Sequence, residues 1–189
     1  CAVPDARGPS RSRPYDDVIL QARRLADAGY RELVLTGVHI GAYAPGDGAR
    51  LEHVLEGVTA VDGVERVRLG SIEPLQLTAG LADAIVGNPS VCKHLHIPLQ
   101  SGSDRVLSAM GRGYTADEYR EAIERVTGRH PRCGLGADVM VGFPGETDAD
   151  FEATADLIES LPFTYLHVFA FSPRTGTVAA SMPDVVDGV

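Results

Sequence analysis

Apolar positions along this chain recur in two alternating rhythms. Behind Pro14, a favourable first helical residue, Val18, Ala22, Leu25 and Ala26 fall at helical spacing, and Gly29 stands where a C-terminal cap belongs. Residues 32–36 (Glu-Leu-Val-Leu-Thr) then form a short apolar run that reads as a buried strand ending at Gly37. Leu51, Val54, Leu55 and Val58 mark a second helix, and residues 64–69 a second strand ending at Ser71. A short helix over 81–86 precedes a strand over 94–97. Thr115-Ala116-Asp117-Glu118 has the capping-box pattern, and Tyr119, Ala122, Ile123 and Val126 follow at i, i+3, i+4 and i+7. A strand runs through Val139, Met140 and Val141, Thr147 opens a helix carrying Phe151, Ala155 and Ile158, and the last strand spans 165–169.

Strands that alternate with helices in this way build repeated βα units and a parallel sheet. Gly-, Pro- and hydroxyl-rich segments follow the carboxyl ends of the strands: 36–37, 71–74, 98–103, 142–147 and 172–174. In parallel β/α folds that face carries the site. A barrel or partial barrel with enzymatic loops is therefore the expected architecture. A doubly wound sheet stays open, although no G-x-G-x-x-G follows any strand.

Composition narrows the class. With 189 residues, 44% hydrophobic and 23% charged, the chain is long enough for one domain with a real core. No run of apolar residues reaches the length of a transmembrane helix, and no secretory leader is visible, so a cytoplasmic protein without membrane attachment is expected. Three cysteines, Cys1, Cys92 and Cys133, are too few and too odd in number for a disulfide framework. A net charge of −9 argues against wrapping nucleic acid by bulk charge. Locally the picture differs: Arg7, Arg11 and Arg13 cluster near the start, either as a solvated surface or as partners for phosphates. The start at Cys1 and the end in Pro-Asp-Val-Val-Asp-Gly-Val suggest a fragment.

His94 and His96 alternate onto one strand face and imitate a metal pair, but nothing else in the sequence supplies further ligands, so no metal is expected there. Cys92 and Cys133 read as buried or incidental thiols. By spacing alone, residues 142–147 (Gly-Phe-Pro-Gly-Glu-Thr) read as a tight βα turn with a capping Thr.

The opening segment 1–14 (Cys-Ala-Val-Pro-Asp-Ala-Arg-Gly-Pro-Ser-Arg-Ser-Arg-Pro) resembles the region following the iron–sulfur loop of radical S-adenosylmethionine methylthiotransferases. There a C-x-x-x-C-x-x-C loop runs into a V-P-x-x-R-G segment. Further blocks match in order: 35–41 (Leu-Thr-Gly-Val-His-Ile-Gly), 71–74 (Ser-Ile-Glu-Pro), 98–104 (Pro-Leu-Gln-Ser-Gly-Ser-Asp), 138–147 and 172–177 (Ser-Pro-Arg-Thr-Gly-Thr). The resemblance implies an α/β partial TIM-like (β/α)6 radical SAM barrel, truncated at its first strand and cluster loop. Residues 1–189 would then be the core, with an N-terminal methylthiotransferase domain and a C-terminal RNA-binding TRAM-type domain lying outside it.

The implied chemistry is specific. Cys1 matches the third cysteine ligand of a 4Fe–4S cluster, the other two lying upstream, and the open iron would chelate S-adenosylmethionine. A reduced cluster cleaves that cofactor, and the 5′-deoxyadenosyl radical takes hydrogen from C2 of a modified adenosine before methylthiolation. A second 4Fe–4S cluster, in the missing N-terminal domain, would be associated with the sulfur. The implied cofactor-binding residues are Glu73, Gln100, Ser101, Asp138 and Gly142. Glu73 and Asp138 could equally pair with arginines such as Arg68 or Arg174. No side chain is implied as acid or base. The implied partners are the tRNA anticodon loop at adenosine 37, which Arg7, Arg11 and Arg13 would approach, and an electron donor such as flavodoxin or ferredoxin.

Blocks 35–41 and 71–74 resemble the enzyme acting on N6-threonylcarbamoyladenosine. Relatives acting on dimethylallyladenosine or ribosomal protein S12 are the alternatives. A cluster-free βα-barrel lyase or isomerase using Glu73 and Asp138 as acid–base groups, or a non-catalytic relic, are further ones.

Overall fold

The computed structural model describes residues 3–46 and 48–186; Cys1 lies outside them. Its elements alternate as the apolar pattern predicts. After a short helix α1 (Val3–Arg7) come α2 (Tyr15–Asp27), β1 (Glu32–Leu35), α3 (Leu51–Thr59), β2 (Arg66–Leu69), α4 (Ala79–Gly87) and β3 (His94–His96). Then follow α5 (Asp104–Ala109), α6 (Ala116–Thr127), β4 (Gly134–Val141), α7 (Asp148–Ser160) and β5 (Tyr165–Ala170).

All strand pairs are parallel. β1 pairs with β2, and β3 with β4 and β4 with β5. A single bridge between Val67 and Val91, with the Ile72 N–H donating to the His96 carbonyl at 3.0 Å, carries the order from β2 to β3. The strands thus follow one another in space as in sequence, the order of a barrel wall; a doubly wound sheet would reverse direction partway.

Side chains alternate across this wall. Leu33, Val67, Leu69, Leu95, Leu135, Ala137 and Val139 are buried among the helices, where α3 contributes Leu55 and Val58 and α4 contributes Leu81 and Ile85. Residues one position on, including Arg68, His96, Asp138 and His167, project to the opposite, concave face. On that side β5 is exposed beyond Leu166.

Local sequence explains the punctuation. Thr115 accepts from the Glu118 N–H at 3.2 Å while the Glu118 carboxylate accepts from the Thr115 N–H at 2.8 Å, so the capping box forms as its spacing predicts. Thr147 and Asp150 make the same reciprocal pair at the start of α7. At the end of α2, the Tyr30 N–H donates to the Leu25 carbonyl and the Gly29 N–H to that of Ala26, the paired bonds of a glycine-terminated helix. Pro14 sits one position earlier than expected, as N-cap: with ψ at 144° it is extended and outside the helix. Helix α5 was not evident in the apolar pattern; six residues carry too little periodicity to announce it.

Candidate active site

The block 98–104 shows how the carboxyl rim is built. Gln100 has φ of 67°, a left-handed conformation uncommon for a residue with a side chain, and its backbone bridges to β4 at Val139. Ser101 is fully buried; its hydroxyl meets the Thr154 hydroxyl at 3.2 Å and accepts from the Ser103 N–H. A Cβ on Gly102 would stand 2.6 Å from the Thr154 Cα and 2.7 Å from the Ala153 carbonyl oxygen, so the backbone of α7 can approach only a glycine here. Ser103 caps α5 and donates to Asp150 at 2.6 Å. Most of this block therefore joins α5 to α7. Of its two residues expected at the cofactor, Gln100 stays partly exposed at the rim, whereas the Ser101 side chain is already engaged in the interior.

Next along the rim, Gly142 follows β4 with φ of 74°, and its N–H donates to the Glu146 carboxylate. Glu73 follows β2. Its partner is Arg112, whose Nη1 lies 3.1 and 3.2 Å from the two carboxylate oxygens. Arg68 instead joins Arg66 on Glu32, at 3.2 and 2.8 Å. The reason is register: Glu32 and Arg66 are directly paired across β1 and β2, with Arg68 two positions on and on the same face.

Asp138 lies lower, three residues before Val141 on β4, about 10 Å down the strand. Its Oδ1 is 3.1 Å from His96 Nε2 and 3.2 Å from His167 Nδ1. His96 Nδ1 reaches the Tyr165 hydroxyl at 3.2 Å, and His94 Nε2 reaches the same hydroxyl at 3.1 Å. Burial, with Arg68 and His96 nearby, pushes the His94 pKa down. Here the premise behind the expectation about the histidines, though not the expectation itself, is corrected. The sequence offered no further ligand beside His94 and His96, but Asp138 and His167 come together with His96, their ligand atoms all within 4.8 Å of one another. Parallel register places them there across sequence gaps that no spacing rule reveals.

Glycines on the inner face of β4, Gly134 and Gly136, clear the space and are the sequence signal for it. A Cβ on Gly136 would lie 2.1 Å from Tyr165 Cζ. The arginines Arg7, Arg11 and Arg13 are exposed and line a cavity of about 820 Å³ along the outer edge of β1, beside Glu32 and residues 33–40. The segment is fastened where the Tyr43 hydroxyl donates to the Arg13 carbonyl at 2.8 Å. Cys133 is buried, which pushes its thiol up, and Cys92 is partly buried; both precede their strands, at the end away from the rim. Lys93 lies beside them, its ammonium donating to the Ile85 and Asn88 carbonyls at the end of α4.

A parallel β/α wall with strained, polar loops at the strand ends and a polar concave face defines a β/α-barrel enzyme core. The Radical SAM superfamily model matches residues 1–158, and the chain belongs to that superfamily. Coproporphyrinogen III oxidase from Escherichia coli, a radical SAM enzyme, superposes with a TM-score of 0.63 at 15% identity, covering 92% of this chain and 40% of that one. The cobalamin-dependent radical enzyme OxsB gives 0.63 at 13% identity over 77% of this chain and 22% of its own. These likenesses show the fold, and membership of the superfamily implies a 4Fe–4S cluster with S-adenosylmethionine.

In sequence the chain is similar to proteins named tRNA-2-methylthio-N(6)-dimethylallyladenosine synthase. The one from Idiomarina loihiensis is 43% identical over 188 residues, covering 97% of this chain and 39% of that protein. One from Coxiella burnetii is 43% identical over 190 residues, covering 98% and 43%. One from Alteromonas mediterranea is 44% identical over 193 residues, covering 100% and 40%. The chain spans about two fifths of the length of these curated relatives. They carry the dimethylallyl name and not the threonylcarbamoyl name that blocks 35–41 and 71–74 resemble. Among the described residues no helix is long and apolar enough to cross a membrane.

The rim fits the implied cofactor in its donor chemistry: a carboxylate at Glu73, a left-handed backbone with an amide side chain at Gln100, and a glycine turn at Gly142 suit hydroxyls, an ammonium and an adenine edge. The described residues place no thiolate at that rim, since Cys92 and Cys133 lie at the other end of their strands.

Proposed function

We propose that this chain is the radical SAM core of a methylthiotransferase that modifies C2 of an N6-substituted adenosine at position 37 of tRNA, the substituent being dimethylallyl. One observation carries the reading: identity of 43–44% runs along essentially the whole chain to synthases of that name. In this reading Cys1 is a cluster ligand. Glu73, Gln100 and Gly142 hold the cofactor, with Ser101 contributing through its backbone, and Asp138 belongs to the polar group beneath them. The bound cluster and cofactor supply radical chemistry at an unreactive C–H bond. The chain's residues orient the cofactor and exclude water. Arg7, Arg11 and Arg13 meet tRNA phosphates, while an N-terminal domain with a second cluster and a C-terminal RNA-binding domain complete the enzyme. A small acidic redox protein such as flavodoxin or ferredoxin delivers the electron.

A second reading, with N6-threonylcarbamoyladenosine as substrate, has one structural observation in its favour. Arg112 stands at the rim with Glu73 engaging its Nη1 alone among the described residues. A guanidinium with donors to spare suits the carboxylate of a threonylcarbamoyl group and has nothing to offer a dimethylallyl group. The experiment assembles the cluster anaerobically in the complete enzyme and supplies tRNA bearing each modification separately. Mass spectrometry of the digested nucleosides then reads methylthiolation. Product from the dimethylallyl tRNA alone supports the main reading. Product from the threonylcarbamoyl tRNA, lost in Arg112→Gln, supports the second, and no product from either defeats both.

A further inference from the structure

We propose that His96, Asp138 and His167 form a binding site for a divalent metal ion, with zinc the best fit, on the inner face of the barrel. The three donors come from three adjacent strands. Asp138 and His167 are direct register partners across β4 and β5. His96 pairs with Gly136, one pleat earlier on the same face. Asp138 Oδ1 stands 3.1 Å from His96 Nε2 and 3.2 Å from His167 Nδ1. Ligands at bonding distance from one zinc ion lie about 3.4 Å apart in a tetrahedral shell, so a small inward or outward adjustment seats the ion.

The donor set sharpens the choice. Two neutral imidazoles and one carboxylate suit zinc and neighbouring first-row ions, and three protein ligands leave at least one position open. The same set disfavours an iron–sulfur cluster, which takes thiolates. Accessibility is graded in a way that serves binding: the His167 side chain is 55% exposed, Asp138 29% and His96 12%. An ion can therefore enter from the open side against a ligand already oriented within.

That orientation has an outer support. The Tyr165 hydroxyl meets His96 Nδ1 at 3.2 Å, which leaves Nε2 for the ion, and it meets His94 Nε2 at 3.1 Å. An imidazole held at one nitrogen by a polar partner, with the other nitrogen directed at a carboxylate and a second imidazole, is the arrangement by which proteins fix a metal-binding tautomer. Tyr165 is placed in turn by Gly136. Without an ion, the Asp138 carboxylate accepts hydrogen bonds from the two histidines, and the metal replaces the protons in those bonds.

The test uses the protein with its iron–sulfur cluster assembled, freed of loose metal by a chelator and titrated anaerobically with Zn(II) against a chromophoric competitor. Iron is counted in each sample, so cluster assembly is read independently of zinc uptake. One tight zinc equivalent per chain is expected, with iron unchanged. His167→Ala, at an exposed position, and Asp138→Asn should each weaken zinc binding by about 100-fold or more, and Tyr165→Phe by about tenfold. Circular dichroism confirms that His167→Ala stays folded. The proposal is overturned if no tight equivalent appears, if the equivalent persists in His167→Ala, or if it vanishes when Cys92 and Cys133 are replaced by Ser.

Discussion

The ring of Tyr165 lies across Gly136, occupying the place where any other residue would put its Cβ, 2.1 Å from Tyr165 Cζ. This one relationship fixes the hydroxyl that His94 and His96 share. Gly136→Ala must push the ring away, at a cost of about 1–3 kcal/mol for overpacking. In a chain of this size that is a fall in Tm of roughly 2–4 °C per kcal/mol. An unchanged melting temperature would show that the ring has somewhere else to go.

Gly102→Ala should be worse. Its Cβ would meet backbone, the Thr154 Cα at 2.6 Å and the Ala153 carbonyl at 2.7 Å, where the Gly136 clash meets a movable ring. Helix α7 would have to retreat and take the Ser101–Thr154 and Ser103–Asp150 contacts with it. Thermal melts of the two variants side by side should rank Gly102→Ala below Gly136→Ala. The reverse order would contradict this account of the block 98–104.

Acid should weaken the fold in two separate windows. Burial, then Arg68 and His96, hold the His94 pKa below its usual 6.5. As pH falls through 6.5 the unfolded chain therefore takes up a proton that the folded chain resists, and stability declines from there down to the folded value. Arg105, helped by hydrogen bonds from Ser103 and Thr147, holds the Asp150 carboxyl well below its usual 3.8. The stability this group contributes is complete above 3.8 and is lost as pH drops further toward its folded value. Denaturation midpoints measured from pH 7.5 to pH 3 should lose the first decline in His94→Gln and the second in Asp150→Asn. If His94→Gln leaves the upper decline in place, another group causes it.

What the sequence reveals here follows from how far apart the cooperating residues are. Thr115 and Glu118 lie within one helical turn, so their capping box can be read directly, and it forms. The helix–strand alternation and the location of polar loops at the strand ends are equally local in origin. The Arg112–Glu73 pair spans 39 positions and was masked by a closer candidate, Arg68, which register assigns to Glu32. His167 joins Asp138 from 29 positions away, through a strand pairing that periodicity does not specify. Ser101 looked like a rim hydroxyl, but a neighbouring glycine let α7 close over it. The wall could be inferred from the pattern; the constellation on it depends on register.

Gln100 links strain to function. With φ of 67° it holds a conformation that a residue bearing a Cβ occupies at a cost of about 1 kcal/mol, and the parallel bridge to Val139 keeps it there. The Gln100 N–H donates to the Asp138 carbonyl at 2.8 Å and the Gln100 carbonyl accepts from the Met140 N–H at 2.9 Å, so the backbone is committed on both sides. Glycine would keep those bonds and release the strain, raising Tm by a few degrees. If the side chain serves the cofactor, the same variant should bind S-adenosylmethionine about tenfold more weakly, since one polar contact is worth about 1 kcal/mol or slightly more. Equilibrium binding to the cluster-loaded protein and a thermal melt of the same sample measure the two effects independently. A gain in stability with unchanged binding would make the strain a consequence of strand geometry alone, and Gln100 would leave the site.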